Sequence, residues 1–306
     1  MRILVTGVTG FLGSALAEKL LKERYEVFGI GRKETGFLSD FSLNHPNFRL
    51  LKLDLAECEN TNIEQFKIDA VVHLASQQPS ASDLVWDDYV KGNVDTTRRL
   101  LQDISGSPVR QFIYASTTSV IGRPQRGGEI SELSAPSPMG YYGLSKYVAE
   151  RLVEIDLSSS AAKGVVIRFP SIFGRNHRGG IVHTYYTLAR EDKPIEVYGR
   201  GERYRNLLYV DDAVRIIMKS LESNDHLSAY ELFTAGSSNS KKMLEIATCI
   251  KNALQSQSPI VPVGESLPND GDIVIDISKI REKLGVVPMT IEEGLSKYLE
   301  EMNREI

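Results

Sequence analysis

The chain has 306 residues, 42% hydrophobic and 25% charged, a composition typical of a globular protein with a sizeable core. Its net charge of −4 and lack of a basic run argue against nucleic-acid binding. No apolar segment approaches the roughly 20 residues of a membrane span, no N-terminal targeting pattern is evident, and Cys58 and Cys249 lack metal-ligand spacing. We therefore expect a cytoplasmic protein with no metal site and no membrane or nucleic-acid partner.

The stretch from Arg2 to Leu21 changes from strand to helix at three glycines. Ile3 to Val5 is too short an apolar block for a helix and suits a buried strand, and leucines recur afterwards at helical spacing. Between the two stand Gly7, Gly10 and Gly13. The first N–H groups of a helix are unpaired and carry its positive dipole end, so this turn can bind a diphosphate. An ordinary glycine-bearing surface turn is the alternative.

Short apolar blocks and amphipathic segments then alternate through the first half of the chain. Five further strands are predicted at Tyr25–Ile30, Phe48–Leu53, Asp69–Leu74, Val109–Ala115 and Val165–Phe169. Helices are predicted over 84–104 and 141–157. Because βαβ crossovers are right-handed, this alternation predicts an α/β fold with a doubly wound parallel sheet, a Rossmann fold of strand order 3-2-1-4-5-6.

Beyond Pro170 the pattern loosens into glycine-rich turns, short strands and helices. Helices are predicted there over 181–190, 211–222, 240–253 and 291–303. We expect a dinucleotide-binding Rossmann domain over 1–170, its sheet continued by later segments, and a smaller C-terminal substrate-binding lobe over 171–306.

Two cations follow the second predicted strand. An acidic residue at this place usually meets the free 2′-hydroxyl of NAD, whereas cations match the 2′-phosphate of NADP. Arg32 and Lys33 therefore favour NADP as the cofactor. NAD stays possible, because a solvated loop edge can carry the same charges.

Tyr142 and Lys146 stand four residues apart at the start of a predicted helix, so their side chains share a face. A phenol with an ordinary pKa of about 10 is a poor base at neutral pH, but a nearby ammonium stabilises the phenolate. Tyr142 is thus a candidate general acid or base, whereas Tyr141 has Ser145, not a lysine, four residues on. An exposed helix pair is the alternative, since this spacing arises easily by chance.

Thr117 comes just after the strand predicted at 109–115, where the carboxyl end of a strand meets the ligand site. Its hydroxyl could hydrogen-bond the substrate oxygen that Tyr142 protonates and so fix the geometry of hydride transfer. The alternative is a turn in which Ser116, Thr118 and Ser119 cap their own backbone.

A series of short motifs follows in order along nearly the whole chain. They are Thr6-Gly7-Val8-Thr9-Gly10-Phe11-Leu12-Gly13, Asp54-Leu55, His73-Leu74-Ala75, Gly92-Asn93-Val94, Ser116-Thr117, Tyr142-Gly143-Leu144-Ser145-Lys146, Arg168-Phe169, Gly199-Arg200-Gly201 and Tyr209-Val210-Asp211-Asp212. Together they resemble the motifs of extended short-chain dehydrogenases/reductases of the NAD-dependent epimerase/dehydratase family, which act on nucleotide sugars.

The resemblance implies that Thr117, Tyr142 and Lys146 are catalytic. Together with Arg32 and Lys33, the expected cofactor contacts are Gly7, Thr9, Gly10, Phe11, Leu12, Gly13, Asp54, Leu55, Leu74, Ala75, Ser76, Asn93, Ser116, Tyr142, Lys146 and Phe169. The implied substrate contacts are Thr117, Thr118, Ser171 and Arg205, the last with the substrate diphosphate. The resemblance also implies a homodimer formed through the helices at 84–104 and 141–157.

Three functions remain open within this resemblance. The family's sugar 4,6-dehydratases place acidic residues directly after the catalytic threonine, where this chain has Thr118 and Ser119, so dehydration is disfavoured. Reduction of a 4-keto nucleotide sugar by NADPH is the leading expectation, because Arg32 favours NADP. The alternative is a nucleotide-sugar 4-epimerase that tightly holds NAD. A catalytically silent NADP-binding sensor is less favoured, because Tyr142 and Lys146 are both present and neither is needed for binding.

Overall fold

The computed structural model describes residues 1–58, 60–79, 84–122, 128–265 and 271–304. Strands β1 to β15 are Arg2–Thr6, Glu26–Gly31, Phe48–Lys52, Ala70–His73, Gln111–Thr117, Glu129–Ile130, Lys163–Phe169, Ser171–Phe173, Ile195–Tyr198, Tyr204–Arg205, Leu207–Tyr209, Tyr230–Thr234, Lys241–Lys242, Ile260–Val263 and Val274–Ile275. Helices α1 to α10 are Phe11–Lys22, Asp40–Leu43, Trp86–Tyr89, Thr96–Ile104, Tyr141–Leu157, Gly180–Arg190, Val210–Glu222, Met243–Ala253, Ser278–Leu284 and Ile291–Arg304.

A seven-stranded sheet of order β12-β7-β5-β4-β1-β2-β3 organises the first half of the chain. Strand β1 pairs in parallel with β2 and β4, β2 pairs in parallel with β3, and β4 with β5. The predicted order 3-2-1-4-5-6 is confirmed, with β7 as the sixth strand. A later segment, β12, adds the seventh strand at the edge beside β7.

The central strands are buried on both faces, as expected for a parallel sheet covered by helices. Ile3 and Leu4 are adjacent on β1 and point to opposite faces, yet neither is exposed. One core cluster joins Leu4 to Phe112 of β5, Leu100 of α4 and Val153 of α5. The hydrophobic burial of these side chains is the main force that fixes the strands and the helices that follow them.

The chain forms two compact units. The first contains Met1–Gly122, Ala135–Arg168 and Val214–Phe233; the second contains the described parts of 123–134, 169–213 and 234–306. Within the second unit the short strands form four pairs, β8 with β11, β9 with β14, β6 with β15, and β10 with β13. Across the described residues, no helix is both long and apolar enough to cross a bilayer.

The predicted single helix over 84–104 is wrong in its middle. The structure divides this segment into α3, a π-helical turn at Val90–Asp95, and α4. A π turn contains one more residue than an α turn, so it shifts the face that later residues present. Asn93 lies in this turn and is 1% exposed. The turn thus places the side-chain amide of Asn93 in the protein interior. Helical periodicity in the sequence predicts only apolar side chains there.

Candidate active site

The turn between β1 and α1 has no room for side chains at two of its glycines. Gly7 has φ +68°, and a Cβ there would lie 2.8 Å from the backbone nitrogen of Ala75. A Cβ on Gly13 would lie 2.2 Å from the carbonyl oxygen of Gly7. Helix α1 begins at Phe11 with Gly10 as its N-cap, so no N-cap side chain competes for its first N–H groups. These features fit a bound diphosphate better than an ordinary surface turn.

The loop after β2 folds back against this turn. The N–H of Phe37 donates to the carbonyl oxygen of Thr9 at 3.1 Å, and the rings of Phe37 and Phe11 meet edge to face. Gly36 has φ +60°, and a Cβ there would lie 2.2 Å from the same carbonyl oxygen. Arg32 and Lys33 are exposed at the start of this loop. Their predicted cofactor contact stays a prediction.

The Asp54-Leu55 motif forms a turn after β3. The carboxylate of Asp54 accepts a hydrogen bond from the N–H of Ala56 at 3.0 Å, and Leu55 is buried in the core. The guanidinium of Arg99, a residue that sequence reasoning did not single out, donates to the carbonyl oxygen of Leu55. Asp54 and Leu55 thus stabilise the turn that follows β3. Their predicted contact with the cofactor stays a prediction.

A buried chain of hydrogen bonds fixes His73 as a neutral ring. Thr6 Oγ1 accepts the N–H of Ala75 at 3.1 Å and lies 2.7 Å from His73 Nδ1, so its hydroxyl donates to that nitrogen. Thr97 donates to the carbonyl oxygen of Asn93 at 2.6 Å, so it accepts the Nε2 proton of His73 at 3.2 Å. Burial, with Lys146 nearby, lowers the pKa of His73 to about 3. The neutral ring therefore links the carboxyl ends of β1 and β4 through Thr6 and does not act as a base.

Asn93 ties the segment after β4 to helix α5. Its Oδ1 accepts the N–H of Gln77 at 2.7 Å and the hydroxyl of Ser76 at 3.0 Å. Its Nδ2 donates to the carbonyl oxygen of Gln77 at 3.2 Å and to Ser145 Oγ at 2.9 Å. All four bonds use a side chain that water cannot reach, so the segment is held in one position.

The hydroxyl of Tyr142 lies among neutral hydrogen-bonding groups. Burial raises the pKa of Tyr142, while hydrogen bonding with Gln78, Thr117 and Ser76 lowers it in part. In the protein without cofactor, desolvation outweighs these favourable contacts. The expectation that Lys146, aided by a positively charged nicotinamide ring, stabilises the phenolate stays a prediction. Gln78 was missed by sequence reasoning, since nothing in its local pattern distinguishes it from a loop residue.

Lys146 is 2% exposed, one helical turn from Tyr142. Its ammonium nitrogen lies 4.1 Å from the centroid of the Tyr114 ring, a cation–π contact. Burial lowers the pKa of Lys146 to about 7, and the charge of Glu150 acts in the opposite direction. The lysine thus changes its charge close to neutral pH, and it is not an exposed surface residue.

The end of β5 combines a catalytic candidate with a local turn. Thr117 Oγ1 accepts the N–H of Ser119 at 3.1 Å and so caps a short 3₁₀ turn, while it also faces Tyr142. The turn is therefore capped by Thr117 itself, and the catalytic role of Thr117 stays a prediction. Thr118 is buried. Ser116 donates instead to the carboxylate of Glu150, and its predicted cofactor contact stays a prediction.

The remaining predicted contacts lie in the second compact unit. Arg205 Nη1 donates to the carbonyl oxygens of Tyr204 at 2.8 Å and Gly271 at 3.2 Å. Ser171 is exposed at the start of β8, and Phe169 is buried at the end of β7. Asn206, beside Arg205, is buried and accepts the N–H of Ser237 at 2.8 Å. The substrate and cofactor contacts of these residues stay predictions.

A doubly wound sheet, a glycine turn at the start of α1, and a half-buried Tyr142 one helical turn from the buried Lys146 are the features of a dinucleotide-dependent enzyme of the short-chain dehydrogenase/reductase type. The chain belongs to the NAD dependent epimerase/dehydratase family, whose model matches residues 3–236. The resemblance inferred from the motifs is thereby confirmed.

Relatives and solved structures of similar length match nearly the whole chain. An uncharacterized UDP-glucose epimerase of Bacillus subtilis is 28% identical, with 98% of this chain and 97% of the relative covered. A UDP-glucuronate 4-epimerase of Thermodesulfobacterium geofontis is 27% identical, with 96% and 94% covered. The crystal structure of UDP-glucuronic acid 4-epimerase from Bacillus cereus, in complex with UDP-glucuronic acid and NAD, is 26% identical, with 100% of each chain covered and a TM-score of 0.85.

Proposed function

We propose that the protein is a nucleotide-sugar 4-epimerase that retains NAD, with UDP-glucuronate as the first substrate to test. The similarity to 4-epimerases over the full chain supports this proposal over reduction by NADPH. The expectation of NADP depended on Arg32 and Lys33, which are exposed, and the similar Bacillus cereus enzyme was crystallised with NAD.

The observation that carries the proposal is the set of neutral groups around the Tyr142 hydroxyl. Gln78, Thr117 and Ser76 can orient an oxygen and share its proton, but they cannot act as a second ionised acid or base at neutral pH. One proton-exchanging group is enough to oxidise a secondary alcohol and to reduce the ketone again. Dehydration requires a further acid and base, so the site suits epimerisation better.

Features of the first compact unit support the proposal of NAD as the cofactor. The uncapped start of α1 offers N–H groups for the diphosphate, and Gly7 and Gly13 keep the turn compact. The loop at 34–38 lies against Thr9 and borders the same turn. We propose that Gly10, Phe11 and Leu12 hold the diphosphate through their backbone, with Ser76, Asn93 and Lys146 further along the cofactor.

In this mechanism the phenolate of Tyr142 accepts the proton of the sugar C4 hydroxyl, and Thr117 orients that oxygen. Burial keeps Tyr142 protonated in the protein without cofactor, so the phenolate would form when the positive nicotinamide of bound NAD joins the Lys146 ammonium in stabilising it. Bound NAD would supply the acceptor for the hydride from C4 of the sugar and, once reduced, the hydride donor for the C4 ketone. Tyr142 then returns its proton to the same oxygen on the other face of the ring. The Lys146 ammonium stabilises the phenolate while the proton is away. The substrate-binding role of Arg205, Ser171 and the 171–306 lobe belongs to this proposal.

We also propose a homodimer through the helical segment 84–104, which contains α3, the π turn and α4, and through α5. Tyr141, Leu144 and Ile155 of α5 are 54%, 38% and 62% exposed, and their spacing places them on one face of the helix. An apolar stripe on a charged protein fits an interface with a second copy. A Leu144→Glu/Ile155→Glu variant should elute as a monomer in light-scattering chromatography, and an unchanged mass would contradict the interface.

The proposed function is tested with purified protein and its Tyr142→Phe variant. Acid release and mass spectrometry should find NAD bound, and UDP-glucuronate should give UDP-galacturonate without added cofactor. Tyr142→Phe should bind NAD normally and lose most of the rate. Tyr141→Phe removes the hydroxyl of the neighbouring tyrosine but keeps its ring contact with Trp86, and this variant should leave turnover intact. Empty protein that consumes NADPH with a 4-keto nucleotide sugar would refute the proposal and support a reductase.

A further inference from the structure

A second buried charge stands behind Lys146 on helix α5. Glu150 is 2% exposed and follows Lys146 by one helical turn, on the same buried face. Its carboxylate accepts Arg168 Nη2 at 2.7 Å and Nε at 2.9 Å, and it also accepts the Ser116 hydroxyl. Arg168, near the end of β7, is itself 3% exposed. The carboxylate is therefore held in a single orientation, out of reach of water.

Strand β5 fixes both members of the helix pair. Tyr114 and Ser116 are two residues apart and so share a face of the strand. The Tyr114 ring contacts the Lys146 ammonium, while the Ser116 hydroxyl contacts the Glu150 carboxylate. A movement of either helix side chain would break a contact with β5. The positions of the Lys146 ammonium and the Glu150 carboxylate relative to each other are therefore fixed.

The titratable groups that face Lys146 come from three elements. Tyr142 and Glu150 lie on its own helix, Tyr114 on β5 and His73 on β4. Burial raises the pKa of both tyrosines and lowers that of His73, so these three groups are neutral at physiological pH. Glu150 is paired with Arg168 of β7, and its carboxylate is the negative charge that favours the buried Lys146 ammonium.

We propose that Glu150 is a positioning residue whose carboxylate, clamped by Arg168 and Ser116, keeps Lys146 in its ammonium form one turn from Tyr142. This role depends on the proposed function, because the ammonium matters for catalysis when Tyr142 exchanges a proton with the sugar. Without the countercharge, desolvation drives Lys146 toward the neutral amine, which cannot stabilise a phenolate.

The experiment measures the titration of Lys146 in the full chain without substrate. Protein labelled with [ε-¹³C]lysine is followed by NMR, and the Lys146 signal is assigned by its loss in Lys146→Met. The test variant is Glu150→Gln/Arg168→Met, because removing one partner alone leaves a buried charge unpaired. The Lys146 midpoint should fall by about one pH unit or more, a tenfold loss of proton affinity. The alkaline limb of kcat should move in the same direction.

Glu154→Gln is the matched control, since it removes a carboxylate one turn further along α5 where Glu154 pairs with Arg151 at the surface. It should leave the Lys146 midpoint unchanged. If the double variant does not fold, Glu150→Asp draws the carboxylate back and should shift the midpoint in the same direction by less. An unmoved midpoint in the folded variant overturns the inference. A shifted midpoint supports it even if no nucleotide sugar is turned over, a result that refutes the proposed function alone.

Discussion

Replacing Gly13 by alanine tests the diphosphate site at its tightest point. The new Cβ would lie 2.2 Å from the carbonyl oxygen of Gly7 and 2.8 Å from Val8 Cα. Both are backbone atoms that cannot rotate away, so helix α1 must move from β1. Overpacking of this kind costs about 1–3 kcal/mol of unfolding free energy. The shift also displaces the N–H groups at the start of α1, and NAD should bind at least about tenfold more weakly, a loss of roughly 1.4 kcal/mol.

Urea unfolding of the NAD-free protein measures the first effect, and calorimetric titration with NAD measures the second. Gly140→Ala is the matched control, because a Cβ at Gly140 would meet no heavy atom within 4 Å. It should leave NAD affinity unchanged. If Gly13→Ala bound NAD as tightly as the control variant, the close packing of the turn would have no role in the cofactor site.

Three further predictions concern residues around the turn and the sheet. Asn93→Ala removes four buried hydrogen-bond contacts and should lower the unfolding free energy by about 1–3 kcal/mol. The variant should lose more in kcat than it changes in KM. Kinetics equal to those of the unchanged protein would show that Asn93 is not needed to hold residues 76–77 in place. His73 has a pKa lowered to about 3, below its usual value, so the unfolded chain binds the proton more readily and stability falls as pH drops from 6.5 toward 3. That fall should be smaller in His73→Asn, by denaturant titration at several pH values. Arg32→Ala should change NAD affinity less than about twofold, because the exposed guanidinium has no phosphate to meet in NAD; a large loss would return NADP to consideration.

The fold follows from sequence where burial is continuous. Strands such as β1 and β4 are apolar on both faces, and a buried parallel strand leaves that pattern in the chain. The extent of α5 was predicted as Tyr141–Leu157 and is confirmed. The π turn at Val90–Asp95 was not predicted, because the apolar residues on both sides of it still recur at near-helical intervals.

The sequence predicts those residues of the candidate site that lie close together in the chain. Tyr142 and Lys146 share a helix, so their spacing reveals the pair, and the spacing of Lys146 and Glu150 offered the same signal without being used. Arg168 reaches Glu150 from another strand, and Gln78 reaches Tyr142 from a loop. Contacts of this kind depend on tertiary packing, which a single sequence does not display.

The most direct test of the account follows a label through one turnover. UDP-glucuronate carrying deuterium at C4 is incubated with the protein and no added cofactor, and the product is examined by NMR and mass spectrometry. The UDP-galacturonate formed should retain deuterium at C4, because the same hydride returns from the retained cofactor while Tyr142 exchanges a proton on oxygen. A product that has lost the label from C4, or turnover that needs added NADPH, would contradict it.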